Sequence, residues 1–548
     1  MALIEPNSRI DFLRGIPFDP SYENTMYFVD LNQQVSYFDT KIAITLEKAS
    51  YQRVDKGYLK VGWVVDTYGQ SVINQMYNVN YMRFKNTNFE NKWFYAFVDR
   101  VEYINNNTVG VYYHLDVMQT WHFDYSFNYC MIERQHTTTD NIGQNTIPEN
   151  FEIGDYVFGT PSEVDYLPYA IVVSSGDING DYTPGVVYDG YTSQGKVFSG
   201  VHYNLFSLND AQQVTQLNAF LEAAYTDRER QNSIIAVFMG PGAFMSTPKP
   251  TLSYHIYLNK SDNDYLIGNH VVRNKKLLTY PYNFIYVTNY QGNHAEYHYE
   301  YFTNPEDCKL KVWGSIGTNP GLILFPENYK TSGDNFDESI ELTGFPMCAW
   351  VNDAYKAWVA QNAGTINAGV AGVIGAWANT AVSAYQMANY GSHLSTPGSG
   401  IGKETAEQNL GKSLLGSLAA TAALVGKMRD HYVQPPQSHG STNGDVQYQV
   451  GKLTFMMCNK HIREEYAKII DDFFDMYGYA VHRTGIPNRN ARPCYTFVKT
   501  TNASMDGNVP VNDLRLIEEI FNKGIRFWRT SATFGVFDVA VNNNAPLI

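Results

Sequence analysis

Between Ala357 and Gly402 the chain runs for 46 residues without one Asp, Glu, Lys or Arg. The text is AWVAQNAGTINAGVAGVIGAWANTAVSAYQMANYGSHLSTPGSGIG. In a chain of 548 residues with 17% charged residues, a window of that length carries about eight charges. A second uncharged run, Ser413 to Gly426 (SLLGSLAATAALVG), follows it. Apolar text of this kind is kept from water by burial in protein, by packing against other copies, or by lipid.

The spacing inside the long run narrows those choices. Gly364, Ala368, Gly372, Ala376, Thr380, Ala384 and Ala388 are small and four apart. On a helix they form one smooth face that lets a second backbone come close, the small-xxx-small pattern of membrane helix pairs. Ile366 to Tyr390 would reach about 37 Å as a helix, against a bilayer core of about 30 Å. Trp358 and Tyr390 bracket it as interfacial anchors do, and Val373, Ile374, Trp377 and Val382 supply apolar bulk. Against a permanent span stand Asn367, Asn379, Gln386, Asn389 and the glycines. The second run, with Leu414, Leu415, Leu418, Leu424 and Val425, is too short to cross alone. The segment therefore reads as a stored, conditional membrane element; the alternative is a buried helical hairpin or an interface between copies. Its surroundings, residues 351–450, hold five Lys/Arg and five Asp/Glu, so the rest of the chain carries the whole net charge of -14. The stretch Gln434 to Gly444 (QPPQSHGSTNG) reads as a flexible linker.

The remainder is a different material. Aromatic residues make up 15%, with 42 Tyr and 30 Phe, which favours strands. The length predicts two to four domains. Residues 1–160 read as an all-β domain, with strands at Met26–Asp30, Val35–Phe38, Lys41–Leu46, Leu59–Asp66, Trp93–Val98 and Val109–Met118. Residues 161–350 read as a second β or α+β domain. It has strands at Ala170–Ser175, Ser233–Met239, Asn283–Thr288 and Gly321–Phe325, and a helix over Ser207–Ala224 capped by Ser207. Residues 351–450 are an insertion with two apolar arms. Residues 451–548 have the order strand (Leu453–Cys458), helix (Lys460–Tyr477), two strands (Tyr479–His482, Tyr495–Thr500), helix (Val511–Lys523) and strand (Ile525–Trp528). That order predicts a ferredoxin-like, split βαβ subdomain. The inner stripes are predicted at Ile462, Tyr466, Ile469, Phe473 and Met476 in the first helix, and at Leu514, Ile517, Ile520 and Phe521 in the second. The predicted fold class is mainly β with α+β parts, multi-domain, with β-barrel-like and ferredoxin-like subdomains and an inserted Gly/Ala-rich loop or helical hairpin.

The acidic balance argues against general nucleic-acid binding, which needs clustered Lys and Arg, and suits a surface that DNA passes without sticking. Cys130, Cys308, Cys348, Cys458 and Cys494 are scattered and odd in number, so structural zinc and a disulfide framework are not expected. The start, MALIEPNSRIDFLRG, has no apolar core behind basic residues, so synthesis in the cytoplasm is expected. Gly398–Thr405 (GSGIGKET) fails as a phosphate loop: Pro397 replaces the first Gly and Glu404 follows the Lys. His294–His298 (HAEYH) sits in an alternating aromatic strand and reads as a solvated face instead of a metal site. Asp471 and Asp472 are placed on the outer face of a helix. No residue is assigned as catalytic, cofactor-binding or metal-ligating, and no enzymatic activity is expected.

Five stretches, in order, carry a resemblance. They are IPFDPSYENTMYF (Ile16–Phe28), DVMQTWHFDY (Asp116–Tyr125), IERQHTTTDNIGQNTIPE (Ile132–Glu149), KLLTYPYNF (Lys276–Phe284) and GYAVHRTGIPNRNARPCYTFVKT (Gly478–Thr500). They resemble the tail knob, or distal tail tube, proteins of small short-tailed phages of the Bacillus-phage type (Salasmaviridae/Picovirinae). The resemblance implies a homohexameric, mostly β tube at the virion tail tip, joined to a lower collar or proximal tail protein, through whose lumen the viral DNA leaves. It also implies a late hydrophobic loop that plugs the tube and then forms a pore in the host cell membrane. The 351–450 insertion stands where that loop belongs. Its Gly/Ala-rich text is no residue-by-residue match, so the role and approximate limits carry over and individual contacts do not. The rival expectation is a receptor-binding or cell-wall-degrading tail protein.

Overall fold

Along Gly57–Gly62 (GYLKVG) every second residue is buried, and the same period of two builds most of the molecule. The computed structural model describes residues 7–48, 57–62, 73–86, 91–178, 182–188, 200–245, 251–315, 320–348, 442–537 and 543. They fall into two compact units, each assembled from separate stretches of chain. Unit 1 takes residues 1–155, 259–282 and 462–548; unit 2 takes 156–258 and 283–461.

Unit 1 is built on two larger sheets. The first has six antiparallel strands in the order Ile42–Glu47, Ser8–Leu13, Tyr81–Asn86, Phe94–Asn105, Thr108–Leu115, Gly57–Gly62. Ile10, Phe12, Ile44, Leu59, Val61, Met82, Phe84, Val109 and Val111 form its core. Burying each such side chain contributes about 1.5–3 kcal/mol. Among the described residues this sheet is open at both ends, not a closed barrel. The second sheet runs Asn24–Met26, Ile525–Trp528, Tyr495–Thr501, Cys130–Gln135, Tyr479–Gly485.

That second order corrects the expected ferredoxin-like unit. The strand Cys130–Gln135, from far upstream, lies between Tyr495–Thr501 and Tyr479–Gly485. The strand Met456–Ile462 pairs elsewhere, with Asn283–Thr288. Local order set the period of each element but not its partners.

Other elements also differ from expectation. Val35–Phe38 lies in a helix, Leu31–Asp39, whose N-cap Asp30 accepts from the Gln33 amide at 2.8 Å. The helix drives Phe38 between Tyr81 and Tyr95, with ring centroids at 5.5 and 4.5 Å, and that aromatic burial overrides the β-favouring text. The strand expected over Met26–Asp30 ends at Met26. Val117–Thr120 is a helical turn capped by Asp116, and it closes the strand Thr108–Leu115. The helix after Ser207 starts at Ala211, with Asp210 as the cap in place of Ser207. The helix placed at Lys460–Tyr477 begins at Glu464, and its buried residues are Ala467, Ile470, Asp471 and Phe474. Ile469 is 66% exposed and Asp471 is 0% exposed, the reverse of the predicted stripe.

Asp471 explains the rotation of that helix. One of its oxygens takes His270 Nε2 at 2.8 Å and the Arg273 amide at 3.0 Å. The other takes the Asn274 amide at 3.0 Å and Asn274 Nδ2 at 2.8 Å. Arg273 also reaches Asp475 at 2.7 Å and Asp472 at 2.5 Å. A carboxylate with that many donors is more stable inside than Ile469 would be, because the donors would otherwise be buried unpaired. Nearby, Asp140 accepts from the Lys275 amide at 2.9 Å and from Tyr479 Oη at 2.8 Å, while Glu149 pairs with Lys276 and Arg134. The 259–282 stretch is thus fastened into unit 1 by charge.

Among the described residues, unit 2 contains three sheets. One joins Tyr156–Phe158, Met456–Ile462, Asn283–Thr288 and His294–Tyr297, with Ser162–Glu163 beside Met456–Ile462. A second runs Val186–Tyr188, His202–Ser207, Pro168–Ser174, Ile234–Pro241, Met347–Cys348. The third runs Leu252–Tyr257, Asp307–Ser315, Gly321–Glu327, Ile340–Leu342. The helix Ala211–Thr226 turns Leu217, Phe220, Leu221 and Ala224 onto Val172 and Phe206 of the second sheet.

Candidate functional site at the root of the uncharged segment

The membrane-active residues read from the sequence are Trp358, Gly364, Ile366, Ala368, Gly372, Val373, Ile374, Ala376, Trp377, Thr380, Val382, Ala384, Tyr390, Leu414, Leu415, Leu418, Leu424 and Val425. All lie outside the described residues, as does Gly398–Thr405. The structure does describe the two points where the chain leaves for this segment and comes back.

The upstream stem is the end of the third sheet, Ile340–Leu342, followed by Thr343–Pro346 and the short strand Met347–Cys348, which pairs with Val237 and Phe238. The downstream stem is the helix Thr442–Gln449. It takes up the last three residues of the stretch predicted as a linker. The stems touch through backbone. A Cβ added at Gly444 would fall 1.9 Å from the Gly344 carbonyl oxygen and 3.2 Å from Pro346 N, so only glycine permits the approach. Phe345 packs edge-on against Tyr166 at 5.4 Å. Asp445 is partly buried, and burial pushes its carboxyl up to about 6.

A hairpin turn from the neighbouring sheet reaches both stems. It joins Asn283–Thr288 to His294–Tyr297 and reads Asn289-Tyr290-Gln291-Gly292-Asn293. Asn289 is 0% exposed. Its Oδ1 accepts from the Gln291 amide at 2.8 Å and the Asn293 amide at 3.2 Å, and its Nδ2 donates to Glu341 O at 2.8 Å. Gln291 Nε2 then donates to Thr343 O at 2.6 Å and to Gln447 Oε1 at 3.0 Å. Tyr290 Oη meets Lys452 Nζ at 3.0 Å and Glu163 at 3.1 Å, and the Lys452 amide donates to Gln447 O at 2.7 Å. Three successive side chains of one turn thus hold both ends of the segment.

None of these residues was singled out from the sequence. The Asn-x-x-Gly-Asn text was legible as a turn. Its partners lie some 50 to 160 positions away, and no local pattern reports them. Of the histidines weighed above, His294 stacks on Tyr286 with centroids 5.6 Å apart, and His298 lies 3.7 Å from Glu300. No group of three or more His, Cys, Asp or Glu able to hold a metal ion occurs among the described residues. No described helix is long and apolar enough to cross a membrane.

A family model of the C-terminal domain of tail knob protein gp9 of Bacillus phage phi29 matches residues 251–544. A model of the caudoviral major tail protein N-terminus matches residues 6–137. The chain is 25% identical to tail knob protein gp9 of Bacillus phage B103 over 96% of its own length and 97% of that protein's. Against gp9 of Bacillus phage phi29 it is 23% identical, covering 95% and 96%. The solved structure of the bacteriophage C1 tail knob protein, gp12, shares the fold, with a TM-score of 0.60 at 14% identity over 98% of this chain and all of that one. A mainly β chain of several sheets with these relatives is a structural protein of a phage tail, and its relatives are not enzymes. The chain belongs to the tail knob protein family represented by gp9 of the Bacillus phages.

Proposed function

We propose that six copies of this chain close into a tube at the virion tail tip, beneath a lower collar or proximal tail protein, and that the viral DNA leaves through the lumen. Closing a ring would cover open strand edges such as Ile42–Glu47 and Gly57–Gly62. The net charge of -14 suits a wall that repels the phosphate backbone instead of binding it. In this proposal the 351–450 insertion is stored in the lumen as a plug and, once released, enters the host cell membrane and forms a pore.

The observation that carries the proposal is the contrast between an uncharged segment and the root that holds it. Two stems in backbone contact let the intervening chain change surroundings while the wall stays folded. Such a change requires a two-state element, here the segment in the lumen and the segment in lipid. The test is to delete residues 360–430, which spares the root. The deletion variant should assemble as wild type does and release no dye from liposomes that the wild-type protein permeabilises. Equal leakage from both proteins would overturn the pore.

A further inference from the structure

One nitrogen atom is shared by both stems. Gln291 Nε2 carries two hydrogens, and the structure spends one on Thr343 O and the other on Gln447 Oε1. Moving either stem away from this turn breaks one of these two bonds. The turn cannot drift to follow a stem, because the fully buried Asn289 fixes its backbone and ties it to Glu341. The bridging group is also neutral. It has no charge to desolvate and no proton to lose, so its bonds do not respond to pH or salt as an ion pair does.

We propose that Gln291 is a positioning residue for the 349–441 segment, and that it keeps the root closed whether the segment is stored or extended. Its importance for membrane action rests on the function proposed above; its grip on the stems does not. The alternative role for the same bonds is a release latch that opens when the segment moves. The two differ in one respect: an anchor stays bonded on lipid, and a latch does not.

Amide hydrogen exchange on the full-length protein tests this. It should be followed in peptides covering 341–348 and 444–452, in solution and on phosphatidylcholine–phosphatidylglycerol vesicles. In solution, Gln291→Leu should raise exchange in both stems together by about tenfold, the loss of a hydrogen bond of about 1.4 kcal/mol. Exchange in the other three strands of the third sheet, Leu252–Tyr257, Asp307–Ser315 and Gly321–Glu327, should be unchanged. Pairing Gln291→Glu with Gln447→Lys should restore protection downstream, through a new ion pair, and leave the upstream stem loose. A merely structural turn residue would show no such split. A response confined to one stem, or no response, overturns the inference. On vesicles, the wild-type Lys452 amide should stay within about twofold of its rate in solution. Loss of protection there would make the bridge a latch and overturn the anchor. If the wild-type protein does not engage vesicles at all, the proposed membrane function fails, and the solution comparison alone decides the role of Gln291.

Discussion

Two stretches of this chain are fastened in place by opposite chemistries. In unit 1 the 259–282 stretch is held by charge: Asp471, Asp472 and Asp475 against Arg273 and His270. In unit 2 the stems of the uncharged segment are held chiefly by neutral amides: Asn289, Gln291 and Gln447. Buried charges lock strongly because removing one partner strands the others in a low-dielectric interior, whereas each amide bond is modest. The stretch that only has to stay put carries the strong, condition-sensitive lock. The root beside the proposed moving part carries the weaker one, whose central bonds do not titrate.

The largest effect that would break this contrast is at Asp471. Asp471→Ala should cost about 3–5 kcal/mol, because Arg273, His270 and Asn274 all lose a buried acceptor. Denaturant midpoints check it; a cost under about 1 kcal/mol would reduce the charged lock to ornament.

Next in size is acid sensitivity in unit 1. His136 accepts from the Phe497 amide at 2.8 Å through Nδ1 and lies 3.0 Å from Asp475 O through Nε2, so it is buried neutral. Burial, helped by Arg492, pushes its pKa down to about 3. The folded pKa is depressed, so its contribution is full above about 6.5 and is lost as pH falls towards 3, by about 1.4 kcal/mol for each pH unit. Asp116 and Asp475, which burial raises to about 6, push the other way over part of that range. The clean measurement is therefore a difference: between pH 6 and 4, His136→Gln should lose less stability than wild type does.

The smallest effect lies at the root. Burial raises the Asp445 carboxyl to about 6, so the folded state holds the proton more tightly than the unfolded chain. Folding there is favoured below about 4 and the gain is lost as pH rises through 6, a change of about 1 kcal/mol after screening. Exchange in 444–452 should slow on acidification, after correction for intrinsic rates, and Asp445→Asn should abolish the dependence. Acid would then loosen unit 1 through His136 while tightening the root through Asp445.

How much of this the sequence disclosed follows the same division. The helix Val511–Lys523 and the strand Ile525–Trp528 were legible to the residue, because their apolar periods are regular and glycine ends the helix at Gly524. The helix over Glu464–Tyr477 was legible as a helix but not in its facing. Apolarity ranks Ile469 inside and Asp471 outside, and only the distant 270–274 donors reverse that order. Leu31–Asp39 was missed because its aromatic text favours strands, although the Asp30 cap was readable. The uncharged segment stood out from composition alone. Its root did not, since one turn joins stems on either side of nearly a hundred intervening residues.

Gly444 set against Gly344 has a consequence for how such a protein can change over time. Because the stems meet backbone to backbone, the folded part of unit 2 registers two glycines and a glutamine, and not the text that lies between them. Lengthening, shortening or rewriting the chain between the stems is then expected to leave unit 2 folded.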